Sequence, residues 1–309
     1  MNNSDDLFSI KKGMNDTIFG YGKKSFLLID ATLENYDSEP GLFEELKKHN
    51  VYPIKFSHPE LVGALPLFLV ELDEQVVSSQ KLFEISICSA LKALRPENLK
   101  QGKGRCVCGW LTSPLTIEQL SRFISNSAIQ HIQGVGDILL RFFDPSVLRP
   151  LLEILDPWQQ QRLLDNIDVW FYLDGNGILQ SVNGEGKSKK LSFSLGLVEK
   201  NLRDIQNIEV TNKILLEYRA KEQNIIIPEI QAIRLLRPAL RFFSIHFMIE
   251  ENDIFQFGVD VLTSRHEFYL SPDFSKHLPH DNSKKKYKDI KMAIGDNQWS
   301  CMLSSQSSS

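Results

Sequence analysis

Short apolar runs alternate with amphipathic stretches through much of the chain. Two stretches, residues 40–49 and 75–94, carry apolar side chains at helical spacing, and a proline at position 96 stops the second. Residues 25–30 form a continuous apolar run of the kind that is buried as a central strand. The other strand-like runs are residues 51–56, 65–72, 105–112, 129–133 and 137–143. This alternation predicts a sheet layer with helices against it.

One helix start and one turn are marked by particular residues. Thr116 is placed to cap a helix, and Gln119 would complete a capping box with it. The apolar runs 169–173 and 178–182 flank the turn Asp174-Gly-Asn-Gly177. Because these turn residues tolerate positive φ, the pattern predicts a β-hairpin.

The pattern changes after Gly186, where long helical periodicity replaces the short runs. The predicted helices are residues 196–221, 228–251 and 252–264. We therefore expect an α+β or α/β fold, with an N-terminal mixed sheet lobe and flanking helices, followed by a mainly helical C-terminal lobe. The predicted divisions are a loose lead-in at 1–24, an α/β domain at 25–190, a helical lobe at 191–271 and a flexible polar tail at 272–309.

Composition narrows the class of protein. The 309 residues are 42% hydrophobic and 24% charged, as in ordinary soluble proteins, and the net charge of −4 argues against a general nucleic-acid coat. No basic head and apolar stretch mark a secretory signal, and the longest apolar run, residues 61–70, is too short for membrane insertion. Cys106 and Cys108 lack further ligands for a metal site. We expect a cytoplasmic protein without metal or cofactor.

Motifs for catalysis are weak or incomplete. The chain contains no G-x-S-x-G sequence, and the S-x-x-K pairs beginning at Ser78 and Ser89 arise easily by chance. Residues 184–188 resemble the end of a phosphate-binding loop but lack its first glycine. The seven histidines are scattered. We predict no catalytic residues, and an enzyme of unrecognised type stays the alternative.

The most informative segment is residues 137–149, which reads as a strand that turns directly into a helix. Asp144 is placed as the N-cap, and Pro145 occupies the first helical position, where its missing N–H costs nothing. Arg141 lies near the strand end, where its guanidinium could bind a carboxylate or backbone carbonyls. A strand–cap–helix corner explains these features without any ligand.

The same segment carries a family resemblance. Arg-Phe-Phe-Asp-Pro-Ser-Val-Leu (141–148) resembles the R-[FY]-[YF]-D-P-R-V-L signature of domain of unknown function 4123, the adaptor-chaperones of type VI secretion effectors. Supporting blocks follow the family order between about residues 25 and 175. Two departures are Ser146 in place of the usual arginine and Gly109-Trp110 in place of Trp-Gly. The residues that match the signature blocks are Trp110, Ser113, Arg141, Phe142, Phe143, Asp144, Pro145, Val147 and Leu148.

The resemblance implies a non-enzymatic role. Such proteins bind one toxic effector in the donor cytoplasm and help load it onto a VgrG-type spike. The segment 237–249 holds more large apolar residues than one buried stripe needs, so part of it could face a partner. The candidate partner-binding residues are Phe242, Phe243, Phe247 and Met248. A helix buried inside its own lobe is the alternative for them, and an interaction module outside secretion is the alternative for the protein.

Overall fold

The computed structural model describes residues 3–20, 24–32, 41–61, 63, 65–95, 98, 105–184, 192–221, 226–279 and 283–304. The chain divides into two compact units, unit 1 (Met1–Asn201) and unit 2 (Leu202–Ser309). Unit 1 contains a sheet with helices and unit 2 is mainly helical, which confirms the predicted fold class. The division lies C-terminal to the boundary predicted near residue 190.

The centre of unit 1 is a six-stranded sheet in which every pairing is antiparallel. The strands of unit 1 are β1 Lys24–Asp30, β2 Val51–Ile54, β3 Leu67–Leu72, β4 Val107–Ser113, β5 Ile129–Ile132, β6 Gly136–Leu139, β7 Val169–Leu173 and β8 Leu179–Asn183. The sheet order is β2-β3-β1-β4-β7-β8, and β5 and β6 form a separate hairpin. The continuous apolar run of β1 is buried on both faces, as predicted for a central strand. Strand β2 lies at the edge, where Pro53 is tolerated.

Helices flank the sheet of unit 1. They are α1 Asn3–Ile18, α2 Leu42–Leu46, α3 Val77–Ala93, α4 Ile117–Ala128, α5 Pro145–Ile154 and α6 Pro157–Leu164, with a 3-10 turn at Pro59–Leu61. Thr116 and Gln119 form the predicted capping box at the start of α4. The predicted hairpin is also present, because β7 pairs with β8 across the turn that Asp174 begins.

The predicted loose lead-in at residues 1–24 is wrong for its described part, because residues 3–18 form helix α1. Ile10, Met14 and Ile18 are buried and recur at the four-residue spacing of one helical face. The polar residues of this helix outnumber its buried apolar residues, so the helical spacing of the apolar ones is hard to see in the sequence.

Unit 2 is built on an aromatic core. Its helices are α7 Glu199–Arg219, which begins at the end of unit 1, α8 Glu229–His246, α9 Glu251–Ser264, α10 Pro272–Ser275, α11 Tyr287–Ile294 and α12 Asp296–Ser304, with a 3-10 turn at Phe268–Leu270. Phe243 and Phe257 of α8 and α9 meet with ring centroids 5.4 Å apart. Ile214 of α7 packs where Gly258 leaves no side chain, which lets the helices approach closely.

The predicted flexible tail at 272–309 is wrong for most of its described residues, which form α10, α11 and α12. Tyr287 and Trp299 are buried in the core of unit 2. The hydroxyl of Tyr287 and the amine of Lys291 each donate to Oδ2 of Asp260, at 2.9 Å. The many lysines of this segment suggested a solvated tail, but its few large apolar residues bury enough surface to hold it in place. Within the part of the chain that the structure describes, no helix is long and apolar enough to cross a bilayer.

Candidate functional site

The signature segment forms a tight corner between β6 and α5, with Asp144 as the N-cap. Oδ1 of Asp144 accepts hydrogen bonds from the amide and the hydroxyl of Ser146, at 2.8 and 2.6 Å. Pro145 occupies the first helical position. The cap predicted from the sequence is therefore confirmed. Ser146, at the position where the signature usually has arginine, adds its own hydroxyl to the cap.

Arg141 ties this corner to the end of β1. Its Nη2 donates to Oδ2 of Asp30 at 2.9 Å and lies 3.8 Å from Oδ2 of Asp144. The Asp30 side chain is only 3% exposed, and its Oδ1 also accepts from the amide and hydroxyl of Thr32. The guanidinium also stands 5.5 Å from the centroid of the Phe143 ring. Both carboxylates are thus satisfied inside the molecule, and Arg141 binds a carboxylate, one of the two partners that the sequence allowed.

Cys108 lies beside these charges but is poorly suited to act as a nucleophile. Burial raises the pKa of its thiol well above the usual range, and the nearby carboxylates of Asp30 and Asp144 raise it further. The thiol therefore stays protonated near neutral pH, whereas reactive cysteines need the thiolate. Among the residues that the structure describes, no group of three or more His, Cys, Asp or Glu side chains is placed to hold a metal ion.

The Gly109-Trp110 pair has a packing role in β4. A Cβ at Gly109, whose φ is +151°, would lie 2.3 Å from Nε1 of Trp170 and 2.5 Å from the carbonyl oxygen of Phe171. Only glycine allows strand β7 to approach this closely. Trp110 is fully buried, and its Nε1 donates to Oγ of Ser86 at 2.8 Å. The inverted order therefore fits the packing of this sheet.

The remaining signature residues also support the fold. Ser113 closes the loop after β4, because its hydroxyl donates to the carbonyl of Asn166 at 2.6 Å. Val147 is partly buried. The other members that lie in the core are Phe142, Phe143, Pro145 and Leu148. The structure therefore favours the structural interpretation of the signature, with the side chain of Arg141, 41% exposed, as its most accessible charged group.

The four candidate partner-binding residues at the end of α8 do not share one environment. Phe243 and Phe247 are fully buried in the aromatic core, so their assignment to a partner surface is wrong. Phe242 is partly buried and packs on Tyr269, with ring centroids 4.9 Å apart. Only Met248 is exposed, at 43%. Phe243 and Phe247 both contact Phe257 of α9, with ring centroids 5.4 and 5.9 Å apart, so these aromatic residues serve the core of unit 2.

A different set of residues is exposed at the same place. Ile245 and Ile249 are 65% and 74% exposed, and Met248 lies between them in sequence. We name the set Ile245, Met248, Ile249, Lys284 and Lys285 the α8-end surface. Ile245 lies in the last turn of α8, whereas Met248 and Ile249 follow the end of the helix at His246. No spacing in the sequence indicates that these residues are exposed while Phe243 and Phe247 are buried.

Two lysines border these apolar residues. Nζ of Lys284 donates to the carbonyl of Ser244 at 2.6 Å, and the carbonyl of Lys285 accepts from the amide of Met248 at 3.0 Å. His246 stands at the same end of α8, where burial and then the charge of Lys284 lower its pKa. The imidazole is therefore mostly neutral at pH 7, and the positive charge of the surface comes from the lysines.

Residues 25–162, which lie within unit 1, match the model of the family described as Domain of unknown function (DUF4123). No curated protein and no solved structure matches the chain. The match supports the resemblance drawn from the signature and spans β1 to α6. The phosphate-loop-like segment at 184–188 lies, after its first residue, outside the described residues.

Proposed function

We propose that this protein is a non-enzymatic adaptor and chaperone of type VI secretion. It binds a cognate effector in the donor cytoplasm and helps to load that effector onto a VgrG-type spike. The effector binds at the α8-end surface of unit 2. The family resemblance of unit 1 supports the class of protein, and the chemistry of unit 2 supports the place of binding.

The α8-end surface is the observation that carries the proposal. Within five positions of the chain, Ile245 and Ile249 each expose most of their surface area, and Met248 exposes nearly half. Clustered exposed apolar residues with a polar rim are typical of protein-binding surfaces. Methionine suits such a surface because its flexible, polarisable side chain adapts to a partner.

The surrounding charges favour a particular chemistry in the partner. Of the acidic residues that follow the surface, Glu250 pairs with Lys286 at 2.7 Å, and Glu251 lies 3.7 Å from Lys213, whose nearer partner is Glu209 at 3.0 Å. Lys284 and Lys285 place two further positive charges beside the apolar residues. A segment of the effector that combines acidic and apolar side chains would complement both features.

The corner in unit 1 supports an adaptor more than an enzyme. A catalytic site requires reactive groups that converge on a cavity and are free to meet a substrate. Asp30 and Asp144 instead accept hydrogen bonds from their own neighbours, and Cys108 is held as a thiol. These groups serve packing and capping, and the exposed apolar residues of unit 2 remain for recognition.

The proposal is tested by capture from the native bacterium followed by mass spectrometry. We expect the wild-type protein to retain one toxin-like effector encoded near its own gene, and Ile249→Asp to retain at least tenfold less. The matched control is Ile226→Asp, because Ile226 is equally exposed, at 71%, and precedes the opposite end of α8. That helix has 18 residues, so about 27 Å separates its ends.

Two results would contradict this proposal. The first is that no neighbouring effector co-purifies and that effector secretion survives deletion of the gene. The second is that Ile249→Asp and Ile226→Asp retain the effector equally well. That result would exclude the α8-end surface as the binding site but not the adaptor function.

A further inference from the structure

The last residues of unit 1 before α7 form a segment without regular secondary structure that lies against the rest of the unit. We name residues 192–198 the strap. Its side chains alternate between exposed and at least partly buried, with Phe193, Leu195 and Leu197 on the inward face. Phe193 meets Phe123 of α4 with ring centroids 6.3 Å apart. Residues 192–195 alternate as in a β-strand, but Gly196, with φ +58°, turns the chain before Leu197, and the strap belongs to no strand ladder of the described sheet.

A buried glutamine takes the place of a neighbouring strand. Nε2 of Gln130 in β5 donates to the carbonyl of Phe193 at 3.1 Å, and its Oε1 accepts from the amide of Leu195 at 2.8 Å. One side-chain amide thus exchanges both kinds of hydrogen bond with two residues of the strap, as a strand would. Gln130 is itself nearly inaccessible, so its amide is held ready for an extended backbone.

Helix α6 supplies the other wall. Nε2 of Gln159, also buried, donates to the carbonyl of Leu195 at 3.0 Å. Arg162 donates from Nε to the carbonyl of Ser194 at 2.7 Å and from Nη2 to that of Ser192 at 2.5 Å. Every one of these contacts is made to backbone atoms of the strap.

This arrangement has the features of a peptide-binding groove. Hydrogen bonds to the backbone accept any extended peptide, and specificity comes from the apolar residues at alternate positions. Trp158 borders the strap, because a Cβ at Gly196 would lie 3.7 Å from its ring; that ring is half exposed and lies under the guanidinium of Arg162, 4.9 Å away.

We propose that the groove between α4, β5 and α6 is a binding site for an extended peptide, and that the strap occupies it in the free protein. The partner is a protein segment like the strap, with aromatic or aliphatic residues at the positions of Phe193, Leu195 and Leu197 and a glycine at that of Gly196. Such a segment binds when the strap leaves, so the strap is autoinhibitory. This site is separate from the α8-end surface, and its test uses a synthetic peptide, so either proposal can fail without the other.

The test measures binding of a fluorescent peptide with the sequence of residues 191–199 to the full-length protein. The double variant Leu195→Ser/Leu197→Ser removes the anchors of the strap and should open the groove. We expect it to bind the peptide at least tenfold more tightly than the wild type, because an occupied groove reduces apparent affinity by the fraction that is open. Gln130→Ala in the same background should abolish binding. A peptide with its apolar residues moved by one position is the matched control.

Hydrogen exchange of the wild-type protein keeps the test independent of how the double variant folds. Excess unlabelled peptide should accelerate exchange of the Leu195 amide at least fivefold, since the strap is displaced, and should leave the Leu111 amide in β4 unchanged. The proposal is overturned if the double variant binds the peptide no better than the wild type does. It is equally overturned if the peptide leaves the Leu195 exchange rate unaltered.

Discussion

The signature corner of unit 1 and the α8-end surface of unit 2 differ in whether their side chains are paired and buried or exposed. In the corner, Arg141, Asp30 and Asp144 satisfy one another, and the aromatic residues between them are buried. At the α8-end surface, Ile245 and Ile249 are exposed, and two lysines stand beside them. The polar groups of the corner are paired within the chain, whereas the α8-end surface exposes large apolar side chains to solvent.

A segment that is easy to identify in the sequence is therefore not the segment that we expect to bind a partner. The corner is easy to identify because a cap, a proline and an ion pair must all fall at fixed positions. The same cap and ion pair engage the polar groups of the corner in hydrogen bonds within the chain. A docking surface imposes no such spacing on its own chain, since its partner supplies the other half of the contacts. We therefore expect changes at the corner to alter stability and changes at the α8-end surface to alter binding.

The largest expected effect comes from the core beneath the α8-end surface. Phe247→Ala should lower the free energy of unfolding by about 3–5 kcal/mol, because a fully buried aromatic side chain leaves a cavity in unit 2. Ile249→Ala, two positions away, should stay within about 0.5 kcal/mol of the wild type. Urea denaturation measures both. Equal losses would mean that Ile249 is part of the core.

A smaller loss should follow from breaking the tie between the corner and β1. Arg141→Ala leaves the buried Asp30 carboxylate without its cation, and hydrogen bonds to charged groups are worth about 1.5–3 kcal/mol. The half-exposed guanidinium places the expected value toward the lower end. Arg149→Ala is the control, because it removes a partly buried pair with Glu153 within one helix rather than a tie between distant elements, and we expect it to cost less. An Arg141→Ala loss no larger than that of the control would remove Arg141 from the structural account.

The smallest expected effect is at the cap. Asp144→Ala should cost about 1 kcal/mol in the free energy of unfolding, and Asp144→Asn should recover most of it, since asparagine caps helices about as well. Thermal unfolding of the two variants measures the difference. If Asp144→Asn is as unstable as Asp144→Ala, the charge of Asp144 matters more than its role as a cap.

Most local structure in unit 1 could be predicted from the sequence. The central strand, the caps at Thr116 and Asp144 and the hairpin at Asp174 each depend on neighbouring residues, and each is confirmed. Such features are local, so composition and spacing suffice to find them.

Two kinds of prediction were wrong. Segments with few apolar residues among many polar ones were predicted to be loose, and buried aromatic residues were predicted to face a partner. Helix α1 and the helices after residue 272 depend on a few anchors, such as Met14 and Trp299, that meet distant parts of the same unit. Phe247 is buried because it packs on Phe257 of α9, whereas Ile249 is exposed. The sequence alone does not show that packing. The strap was missed because its partners, Gln130 and Gln159, are distant in sequence.

The most direct test of the central claim compares effector affinity between one corner variant and one surface variant. Asp144→Ala and Ile249→Asp are purified and titrated by calorimetry with the effector that the wild type captures. We expect folded Asp144→Ala to bind within about twofold of the wild type and Ile249→Asp to bind at least tenfold more weakly. The opposite pattern, lost binding in folded Asp144→Ala and full binding in Ile249→Asp, would place recognition at the corner and contradict the account.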